Sequence, residues 1–446
     1  MTECILHVGI DDTDSTRKGC TTYVAALLVE KLEKLGVKFI DYPNLVRLNP
    51  NVPWKTRGNG ALCLRVQFDK CLLSEIKETV ISTVEEQSDL GSPGTDPGIV
   101  FFRRNSPPTE IRLFAKKATT RIVDLREATK LIAKFKGEAL ALKEGRGIIG
   151  ALAAIGETLQ SDHTYEIIAY RKKENWGTKR RVDKESIFEM DAATRPCTFN
   201  NVDVEKNRVI ITPRGPDPIL FGIRGETAET VKKAFTLVRV LEPVDRWVIF
   251  RTNQGTDAHL RKMKKLSEVK PYLSLVLKGT VSVNPHMVRG RHVIFQIKDS
   301  TSELDCAAYE PTGSLRNIVR KLILGDRVEV FGGVRSPSET IPLTMNIEKM
   351  RIFKLVPQFV YSNPLCSKCG KRLKSMGKNQ GFRCEKCGSR YVSSMKVETR
   401  VKRDVRRGLY ITASRSQRHL TKPAIRYGME KRSGQIDRMM EQWHLS

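Results

Sequence analysis

A cluster of carboxylates follows the first apolar run of the chain. The apolar residues within 5–10 predict a buried strand, and helical spacing begins after Thr21. Asp11, Asp12 and Asp14 lie between these two elements. Carboxylates that lose hydration near a folded core raise one another's pKa, so this turn favours Mg²⁺ or another cation as its counter-charge. We therefore predict a reaction centre at this strand-to-helix turn, and the sequence leaves open which aspartate acts as a base.

The start of the predicted helix offers groups that can bind phosphate. Gly19, Thr21 and Thr22 place backbone N–H groups and two hydroxyls beside the carboxylates, at the positive end of the helix dipole. Ordinary capping of the helix by Thr21 or Thr22 explains the same residues. Together with Thr13 of the acidic turn, Gly19 and Thr22 are predicted to bind a nucleotide, and Thr21 is assigned to the catalytic set.

A basic loop over residues 49–60 separates two predicted strands. Its Lys55 and Arg57 would neutralise the charge of a triphosphate, and Gly58 lets the backbone approach phosphate oxygens. Asp96 lies in a second glycine-containing loop and could face the same crevice, although a tight turn explains it equally well. Such loops are often plain solvated turns, so the predicted ATP site depends on their combination with the acidic turn.

Four cysteines near the C-terminus have metal-ligand spacing. Cys366, Cys369, Cys384 and Cys387 form a C-x2-C-x14-C-x2-C array, and each pair is followed by glycine. Four thiolates suit tetrahedral Zn²⁺, and a closed set of four indicates a structural site. Metal binding would drive the folding of such a small lobe, because it has little apolar core of its own. An iron cluster is the main alternative.

The composition favours a polyanionic partner. The chain has 446 residues, with 78 Lys and Arg against 50 Asp and Glu, for a net charge of +28 and a pI near 9.8. Nucleic acid is the commonest partner for such a charge, and a general solubility charge is the alternative. The sequence shows neither a run of eighteen apolar residues nor a signal peptide at its start, so we expect a cytoplasmic protein without a membrane span.

The elements that position these groups predict a multidomain α+β protein. The first hundred residues follow a β-α-β-β-α-β order, and helices dominate residues 110–159. The glycines of GRGIIG at 145–150 favour close helix packing over nucleotide binding, because no Walker lysine follows them. Strands and a helix alternate again over residues 165–252, which predicts a second, smaller α+β domain.

The second half of the chain predicts smaller modules. Residues 272–355 read as three strands, a helix and two more strands, which is the order of an OB-fold barrel. Residues 395–446 hold 13 Lys or Arg against 5 Asp or Glu in loosely helical pieces, and this basic helical tail is predicted to dock on phosphates. The predicted division is 1–159, 160–265, 270–356, 360–394 for the zinc ribbon and 395–446 for the tail.

Six short motifs occur in a fixed order ahead of the barrel pattern and the cysteine array: GIDDTDS, GCTTY, KTRGNGA, TDPGI, GRGIIGALAAIG and FGIRGE. The ordered set resembles the archaeal family of 2-agmatinylcytidine synthetases that act on an isoleucine tRNA, and the resemblance covers essentially the whole chain. It implies an ATP-dependent enzyme that forms agmatidine at the wobble cytidine of the AUA-decoding isoleucine tRNA. A kinase-like domain would phosphorylate the cytosine C2 oxygen, and agmatine would displace the phosphate.

The resemblance also implies a ferredoxin-like second domain, and an OB-fold and zinc ribbon that hold the tRNA. The family's kinase domain is associated with threonine phosphorylation, and Thr21 is the matching position. We assign the three aspartates to Mg²⁺ and to proton removal as a hypothesis. The predicted agmatine neighbours are Asp217, Phe221, Arg224 and Glu226.

Two other functions use parts of the same pattern. A non-enzymatic single-strand binder would use the barrel and the ribbon, but would leave the acidic turn of residues 11–14 without a purpose. A metal-dependent nuclease would use the carboxylates without Lys55, Arg57 or the hydroxyl-rich helix start. ATP consumption with tRNA separates the first from an enzyme, and shortening of the RNA identifies the second.

Overall fold

The computed structural model describes residues 3–432 and 438–445. Alternation of apolar side chains in the first unit puts successive residues of each strand on opposite faces of a sheet. Its elements are β1 (Glu3–Asp11), α1 (Thr21–Lys34), β2 (Lys38–Phe39), β3 (Asn44–Arg47), β4 (Gly60–Asp69), α2 (Leu73–Gln87), β5 (Gly98–Phe102), α3 (Thr109–Thr120), α4 (Leu125–Lys134), β6 (Glu138–Ala141) and α5 (Gly147–Gly156).

The second unit also alternates strands and helices. Its elements are β7 (Thr164–Arg171), α6 (Lys184–Thr194), β8 (Thr198–Phe199), β9 (Val202–Asp203), β10 (Arg208–Val209), β11 (Ile219–Gly225), α7 (Ala228–Leu237) and β12 (Val244–Thr252). Strands β7, β11 and β12 pair antiparallel, with β7 in the centre.

A single sheet runs through both units. Among the described residues its order is β6-β5-β1-β4-β3-β12-β7-β11-β8, and the junction is a parallel pairing of Asn44 with Arg251 and of Leu45 with Thr252. Helices α1, α2, α6 and α7 pack on one face in a core that both units share, and α3, α4 and α5 cover the other face of the first unit. The predicted boundary near residue 160 therefore crosses a continuous sheet, so we expect the two units to unfold together.

A closed barrel follows. Its strands are β13 (Arg261–Lys262), β14 (Ser274–Val288), β15 (His292–Lys298), β16 (Glu303–Ala308), β17 (Arg327–Arg335) and β18 (Thr344–Lys354), with α8 (Ser314–Val319) between β16 and β17. Pairing runs β14-β15-β16-β18-β17, and β17 pairs back to β14 to close the ring. Closure removes the exposed edges that an open sheet would present, and the barrel has its own apolar core.

The cysteine lobe stands on a two-stranded ribbon. Strand β19 (Gln358–Ser362) pairs antiparallel with β23 (Val397–Val401), and the short strands between them are β20 (Lys374–Ser375), β21 (Phe382–Arg383) and β22 (Arg390–Tyr391). Apart from Leu373 and Phe382, the buried core of the lobe consists of Cys366 and Cys384. Such a core is too small to hold the lobe together without a crosslink or a metal ion.

The C-terminal strap, defined here as residues 402–445, corrects the prediction of a basic helical tail. Its described part contains short 3-10 turns and two strands, β24 (Gly408–Ile411) on barrel strand β18 and β25 (His444–Leu445) on β12. Trp443 packs on Phe39 and Tyr42 in the core of the first unit. The segment is extended because its side chains bind the surfaces it crosses, which a charge count does not reveal. Residues 433–437, inside the predicted tail, lie outside the described residues.

None of the described helices is both long enough and apolar enough to cross a membrane.

Candidate active site

A cavity of about 260 Å³ opens where the acidic turn, the start of α1, the basic loop of residues 49–60 and the start of α5 meet. The strand β1 and the helix α1 enclose the acidic turn, as the hydrophobic pattern predicts. The structure brings most of the predicted site residues to this cavity. Those that line it are Asp11, Asp12, Asp14, Thr21, Thr22, Lys55, Arg57, Gly58 and Asp217.

Asp11 ends β1 and faces the cavity from a half-buried position. Burial, followed by the neighbouring charge of Asp12, raises the pKa of the Asp11 carboxyl well above its usual value. Gly150 of α5 provides the space for this carboxyl, because a Cβ at Gly150 would lie 1.8 Å from Asp11 Oδ2. The close approach of α5 thus confirms that the GRGIIG glycines serve packing, and Gly150 packs against the Asp11 carboxyl.

Asp12 adopts the left-handed backbone conformation, with φ of 60°, which a non-glycine residue rarely does. Its Oδ2 lies 2.6 Å from an Arg146 guanidinium nitrogen. Burial nevertheless raises the pKa of Asp12 to about 6, against the lowering effect of Arg146. Arg146 is a site residue that the sequence reasoning missed, although it lies inside the GRGIIG motif.

Arg57 connects the acidic turn to the second unit. Its Nε donates to Asp14 Oδ2 at 2.7 Å, one terminal nitrogen donates to the Gly19 carbonyl at 2.7 Å, and the other lies 3.1 Å from Asp217 Oδ2. Arg180 lies 3.2 Å from the other oxygen of Asp217. The cavity therefore spans the junction between the two units, and Arg57 holds one carboxylate from each.

The start of α1 presents its first turn to the cavity. Thr13 Oγ1 donates to Thr21 Oγ1 at 3.0 Å, and both threonines are buried. Cys20 occupies the N-cap position, and within the described residues its side chain makes no capping hydrogen bond to the helix. Thr22 Oγ1 lies 3.1 Å from Cys20 Sγ, so the Thr22 hydroxyl contacts a side chain and does not cap the helix backbone. These contacts favour the phosphate-binding interpretation over ordinary capping.

Lys55 and Gly58 lie on opposite sides of Arg57 in the basic loop. Lys55 is exposed, and burial of part of its chain lowers the pKa of its amine. Gly58 is packed tightly, because a Cβ there would lie 2.7 Å from Arg47 and 2.9 Å from His419. The loop therefore exposes the Lys55 amine, while Arg47 and His419 pack against the loop at Gly58.

Asp96 does not face the cavity as predicted. Its two carboxylate oxygens accept the backbone N–H groups of Gly145 and Arg146, each at 2.9 Å. A carboxylate at this position satisfies the free amides at the start of α5. Asp96 therefore holds the backbone at Arg146 in place, and its role in binding a nucleotide stays a prediction.

The predicted agmatine neighbours are not brought together. Asp217 lines the cavity, whereas the Phe221 ring is fully buried and stacks on Phe235 in the core. Arg426 donates to both carboxylate oxygens of Glu226, and the predicted contacts of Phe221 and Glu226 with agmatine stay predictions. Arg224 lies behind the cavity wall, where Glu166 accepts its Nε–H at 3.0 Å. Strand β11 alternates its side chains between two faces, so neighbours in sequence point apart.

Further residues of the cavity were not predicted. Arg146 lies inside the GRGIIG motif, and Trp54, which is 48% exposed, stands beside Lys55 in the basic loop, so their sequence neighbours could have suggested both. The others lie outside the motifs, and His419 comes from a segment more than 300 residues away from the acidic turn. The unpredicted lining residues include Arg47, Trp54, Arg121, Arg146 and His419.

The three aspartates do not form a closed metal site by themselves. Asp12 pairs with Arg146 and Asp14 pairs with Arg57, so arginine supplies part of the counter-charge that the sequence reasoning assigned to a cation. Burial, followed by the charge of Asp12, raises the pKa of Asp11, so the charged form of this carboxyl is disfavoured in the ligand-free site. Carboxylate oxygens facing a cavity are the ligands that Mg²⁺ prefers, so the donor set fits a cation that arrives with a phosphate ligand.

The cysteine lobe does bring its four predicted ligands together. Within the described residues, Cys366, Cys369, Cys384 and Cys387 are the only group of this kind whose ligand atoms all lie within 4.8 Å of one another. Two of the sulfur–sulfur distances are 3.4 Å and 3.5 Å. Tetrahedral Zn²⁺ with Zn–S bonds of about 2.3 Å needs sulfurs about 3.8 Å apart, so the donors fit a zinc ion with a small adjustment.

The fold and the cavity define a multidomain α+β protein with an enzyme-type site at the junction of two units and a separate four-cysteine lobe. Three family models match the chain: a TiaS TCKD domain over residues 7–71, a TiaS FLD domain over 145–259 and a TiaS C-terminal zinc ribbon domain over 363–405. The third match identifies the four-cysteine lobe as a zinc ribbon.

Curated relatives match over nearly the full length. The isoleucine-tRNA 2-agmatinylcytidine synthetases TiaS of Methanocaldococcus jannaschii and Pyrococcus horikoshii are both 43% identical, and each match covers 94% of this chain with 98% and 97% of the relative. A crystal structure of TiaS in complex with its isoleucine tRNA and ATP is 41% identical with a TM-score of 0.87, and one with the tRNA, AMPCPP and agmatine is 39% identical with a TM-score of 0.84. Each covers 95% of this chain and 97% of the other. The chain belongs to the TiaS family of isoleucine-tRNA 2-agmatinylcytidine synthetases.

Proposed function

We propose that this protein is an ATP-dependent synthetase that forms agmatidine at the wobble cytidine of the AUA-decoding isoleucine tRNA. The observation that carries the proposal is the meeting of the acidic turn, the start of α1 and the basic loop in one cavity. Relatives that are 43% identical over 94% of the chain are named for this reaction. Solved relatives hold their isoleucine tRNA together with ATP or with agmatine.

The chemistry needs an activated cytidine. The C2 carbon of cytosine is urea-like and a poor electrophile. Transfer of a phosphoryl group from ATP to the C2 oxygen breaks a P–O bond of the triphosphate, releases the rest of the nucleotide and forms a new P–O bond. The C2 oxygen thereby becomes part of a leaving group. The primary amine of agmatine then attacks C2, inorganic phosphate departs with the oxygen, and the amine loses a proton. The site must therefore bind phosphates, admit a cationic amine and accept protons.

The phosphate groups are proposed to lie between the start of α1 and the basic loop. Arg57 and Lys55 supply positive charge, and the first-turn amides of α1 beside Thr21 and Thr22 supply donors at the positive end of the helix dipole. Gly19 and Thr13 shape this turn through their contacts with Arg57 and Thr21. Mg²⁺ would be held by carboxylate oxygens of the acidic turn, and would supply charge neutralisation of the triphosphate.

The acidic turn is proposed to handle the protons. Asp11, whose pKa burial raises well above its usual value, is proposed as a proton acceptor, because a general base works best with a pKa above that of a free carboxyl. Asp12, with a pKa of about 6, is the second candidate. Thr21 lies beside them and is proposed to contact the phosphoryl group in transfer.

The cationic agmatine is proposed to approach from the side of the second unit. Asp217 lines the cavity there and already accepts a guanidinium nitrogen of Arg57 at 3.1 Å. The guanidinium of agmatine presents the same donor groups, so it can compete for this carboxylate. The earlier candidates Phe221, Arg224 and Glu226 would act only behind this wall.

The remaining modules are proposed to hold the tRNA in the cytoplasm. The closed barrel has the strand order of an OB-fold, with a helix between its third and fourth long strands, and this fold commonly binds single-stranded nucleic acid. The barrel and the zinc ribbon would grip the tRNA while the target cytidine is extruded into the cavity. We propose units at 1–159, 160–265, 270–356, 360–394 and 395–446, the first kinase-like and the second ferredoxin-like.

Mass spectrometry of the AUA-decoding isoleucine tRNA transcript, incubated with ATP, Mg²⁺ and agmatine, tests this function. The expected result is a mass gain on the wobble cytidine that requires all three additions. Asp12→Ala and Thr21→Ala should lose the product, whereas Glu85→Ala, an exposed carboxylate on α2, should retain it. Shortened RNA would identify a nuclease, and tRNA binding without ATP consumption would identify a non-enzymatic binder. Wild-type turnover in Asp12→Ala would contradict the site assignment.

A further inference from the structure

The C-terminal strap reaches the catalytic cavity from the barrel. It leaves barrel strand β18, to which β24 is paired, and Arg415 then lies 2.7 Å from Asp203 of the second unit. Further along, the Thr421 hydroxyl donates to barrel residue Glu348 at 2.7 Å. Between these two anchors the strap passes directly under the basic loop of residues 49–60.

Two consecutive strap residues contact this loop. Arg418 donates to the side-chain carbonyl of Asn51 at 2.5 Å, near the first residue of the loop. His419 lies under Gly58, where a Cβ on the glycine would be 2.9 Å from both Cδ2 and Nε2 of the imidazole. The strap therefore supports the loop on both sides of Lys55 and Arg57.

The imidazole of His419 is held from below by residues of the second unit. Its Nδ1 lies 3.0 Å from a terminal nitrogen of Arg224 and 2.9 Å from Gln254 Oε1. Glu166 accepts from both of these residues in turn. The ring is thus fixed at its Nδ1 edge, while its Nε2 edge is turned to the loop and the cavity.

The environment keeps this imidazole neutral. Burial, with the neighbouring charges of Arg47 and Arg224, lowers the pKa of His419 well below its usual value. A neutral ring separates the Arg47 guanidinium from the Arg224 guanidinium without adding a third positive charge. Lysine or arginine at this position would repel both neighbours and the basic loop above.

We propose that His419 is a positioning residue of the active site, delivered by the C-terminal strap, which holds the basic loop so that Lys55 and Arg57 face the phosphates of ATP. The inference rests on the proposed function for the identity of the ligand. It adds that the ATP site is incomplete without the strap. The strap runs across the surface from the barrel to the catalytic units, and it acts on nucleotide binding through the basic loop.

Equilibrium ATP binding and the KM for ATP test the proposal in the full chain. His419→Ala should weaken both by ~10-fold or more, because a loop displaced by about 1 Å loses its alignment with the ligand. His419→Gln places an amide near the Nε2 position and should restore most of the affinity. His419→Asn, which reaches only the Nδ1 position, should restore less. The KM for agmatine is expected to change less than the KM for ATP.

Arg415→Ala is the matched control. It removes a strap anchor of similar burial at Asp203, away from the cavity. It should lower the melting temperature while leaving ATP affinity unchanged. If His419→Ala lowered only the melting temperature, or if Gln and Asn variants behaved alike, the positioning role would be overturned.

A double-mutant cycle tests the contact itself. Gly58→Ala introduces the Cβ that meets the imidazole, and should weaken ATP binding. His419→Ala should cost less in the Gly58→Ala background than in the wild type, because contacting residues are not additive. Additive effects would contradict the contact. ATP binding is measured without tRNA, so a wild-type protein that binds ATP but makes no agmatidine would overturn the proposed function while leaving the role of His419 testable.

Discussion

The candidate active-site cavity and the anchor of the C-terminal strap, defined as Arg426 with Asp162 and Glu226, contain the same types of charged residue. They differ in how those charges are compensated. In the anchor, the Arg426 side chain is fully buried, and its terminal nitrogen donates to Asp162 at 2.9 Å and to Glu226 at 3.0 Å. In the cavity, the half-buried Asp11 has its pKa raised well above the usual value. The anchor satisfies its charges within the chain, whereas the surroundings of Asp11 disfavour its charged form.

The sequence offers Glu226 as a neighbour of a cationic ligand, and this difference explains why the sequence cannot separate that role from a closed ion pair. Asp and Glu beside Arg look alike in a sequence, whether they form a closed ion pair or an open site. Buried ion pairs are destabilising unless both partners are fully hydrogen-bonded, and the anchor meets that condition. Carboxyls with raised pKa values cluster at functional sites, and the acidic turn is such a cluster. The following predictions test this contrast, from the largest expected effect to the smallest.

Asp11→Asn should reduce agmatidine formation by about 10²–10⁴-fold, the range expected for loss of a general base. The free energy of unfolding of the ligand-free protein should stay the same or rise, because a desolvated charge is removed. Single-turnover mass spectrometry and chemical denaturation measure the two quantities. A parallel loss of activity and stability would break the distinction between the two regions.

Glu226→Gln should do the reverse. Glu226→Gln removes one of the two carboxylates that pair with the buried Arg426, while Asp162 still compensates part of its charge, so the expected cost is roughly 1–3 kcal/mol in the free energy of unfolding. The KM for agmatine of the folded protein should not change. Glu229→Gln, at an exposed position in the first turn of helix α7, should stay within about 0.5 kcal/mol of the wild type. A raised KM for agmatine in Glu226→Gln would show that Glu226 contributes to the substrate site.

The two regions should also respond to pH in opposite directions. Burial raises the pKa of Asp12 to about 6, so its contribution to stability is fully present below about pH 4 and is lost as the pH rises through 6. Glu348 is the barrel residue that accepts a hydrogen bond from Thr421 of the strap. Burial acts to raise the pKa of Glu348, but its interactions, with His259 first among them, outweigh burial and lower the pKa to about 2. That contribution is present above about pH 4.5 and is lost as the pH falls towards 2.

Melting temperatures of ligand-free protein between pH 4 and pH 8 test the first half of this prediction. The loss of stability of the wild type as the pH rises through 6 should be smaller in Asp12→Asn, by at most about 3 kcal/mol in the free energy of unfolding. Addition of Mg²⁺ and ATP at pH 7.5 should stabilise the wild type more than Asp12→Asn. An unchanged pH profile in the variant would show that Asp12 does not carry the effect.

Zinc removal should have the smallest effect on the catalytic units. The buried core of the lobe consists of Leu373, Phe382 and two of the cysteines, so the lobe depends on its metal. A chelator should expose residues 363–391 to proteolysis and weaken tRNA binding, while the melting of the continuous sheet and the affinity for ATP hardly change. Bound iron instead of zinc in the purified protein would overturn the assignment of the metal.

The sequence alone was sufficient to predict several parts of this protein. The acidic turn, α1 with its stop at Gly36, whose φ is +79°, and the cysteine array are local patterns, and the structure confirms their placement. The family resemblance, which depends on ordered motifs, is confirmed by the relatives. Such features could be predicted because each depends on residues that are close together in the chain.

Other features depended on contacts between distant segments. Arg146 reaches Asp12 across 134 residues, and His419 reaches Gly58 across more than 300. The tail was predicted to be helical from charge and loose spacing, but its ion pairs and strand pairings decide its extended path. The contacts of Asp96, Phe221 and Glu226 with other parts of the chain could not be predicted, because a residue type does not reveal which way its side chain faces.

The amino-acid sequence by itself determined which chemistry the protein carries: carboxylates beside a helix start, a basic loop and four zinc-type thiolates. Tertiary structure decided which of those charges remain open to a ligand. The physical reason is that a charged side chain acquires its pKa and its availability from burial and from partners in space. The sheet through both units and the strap bring those partners together, so the working site is a property of the whole fold.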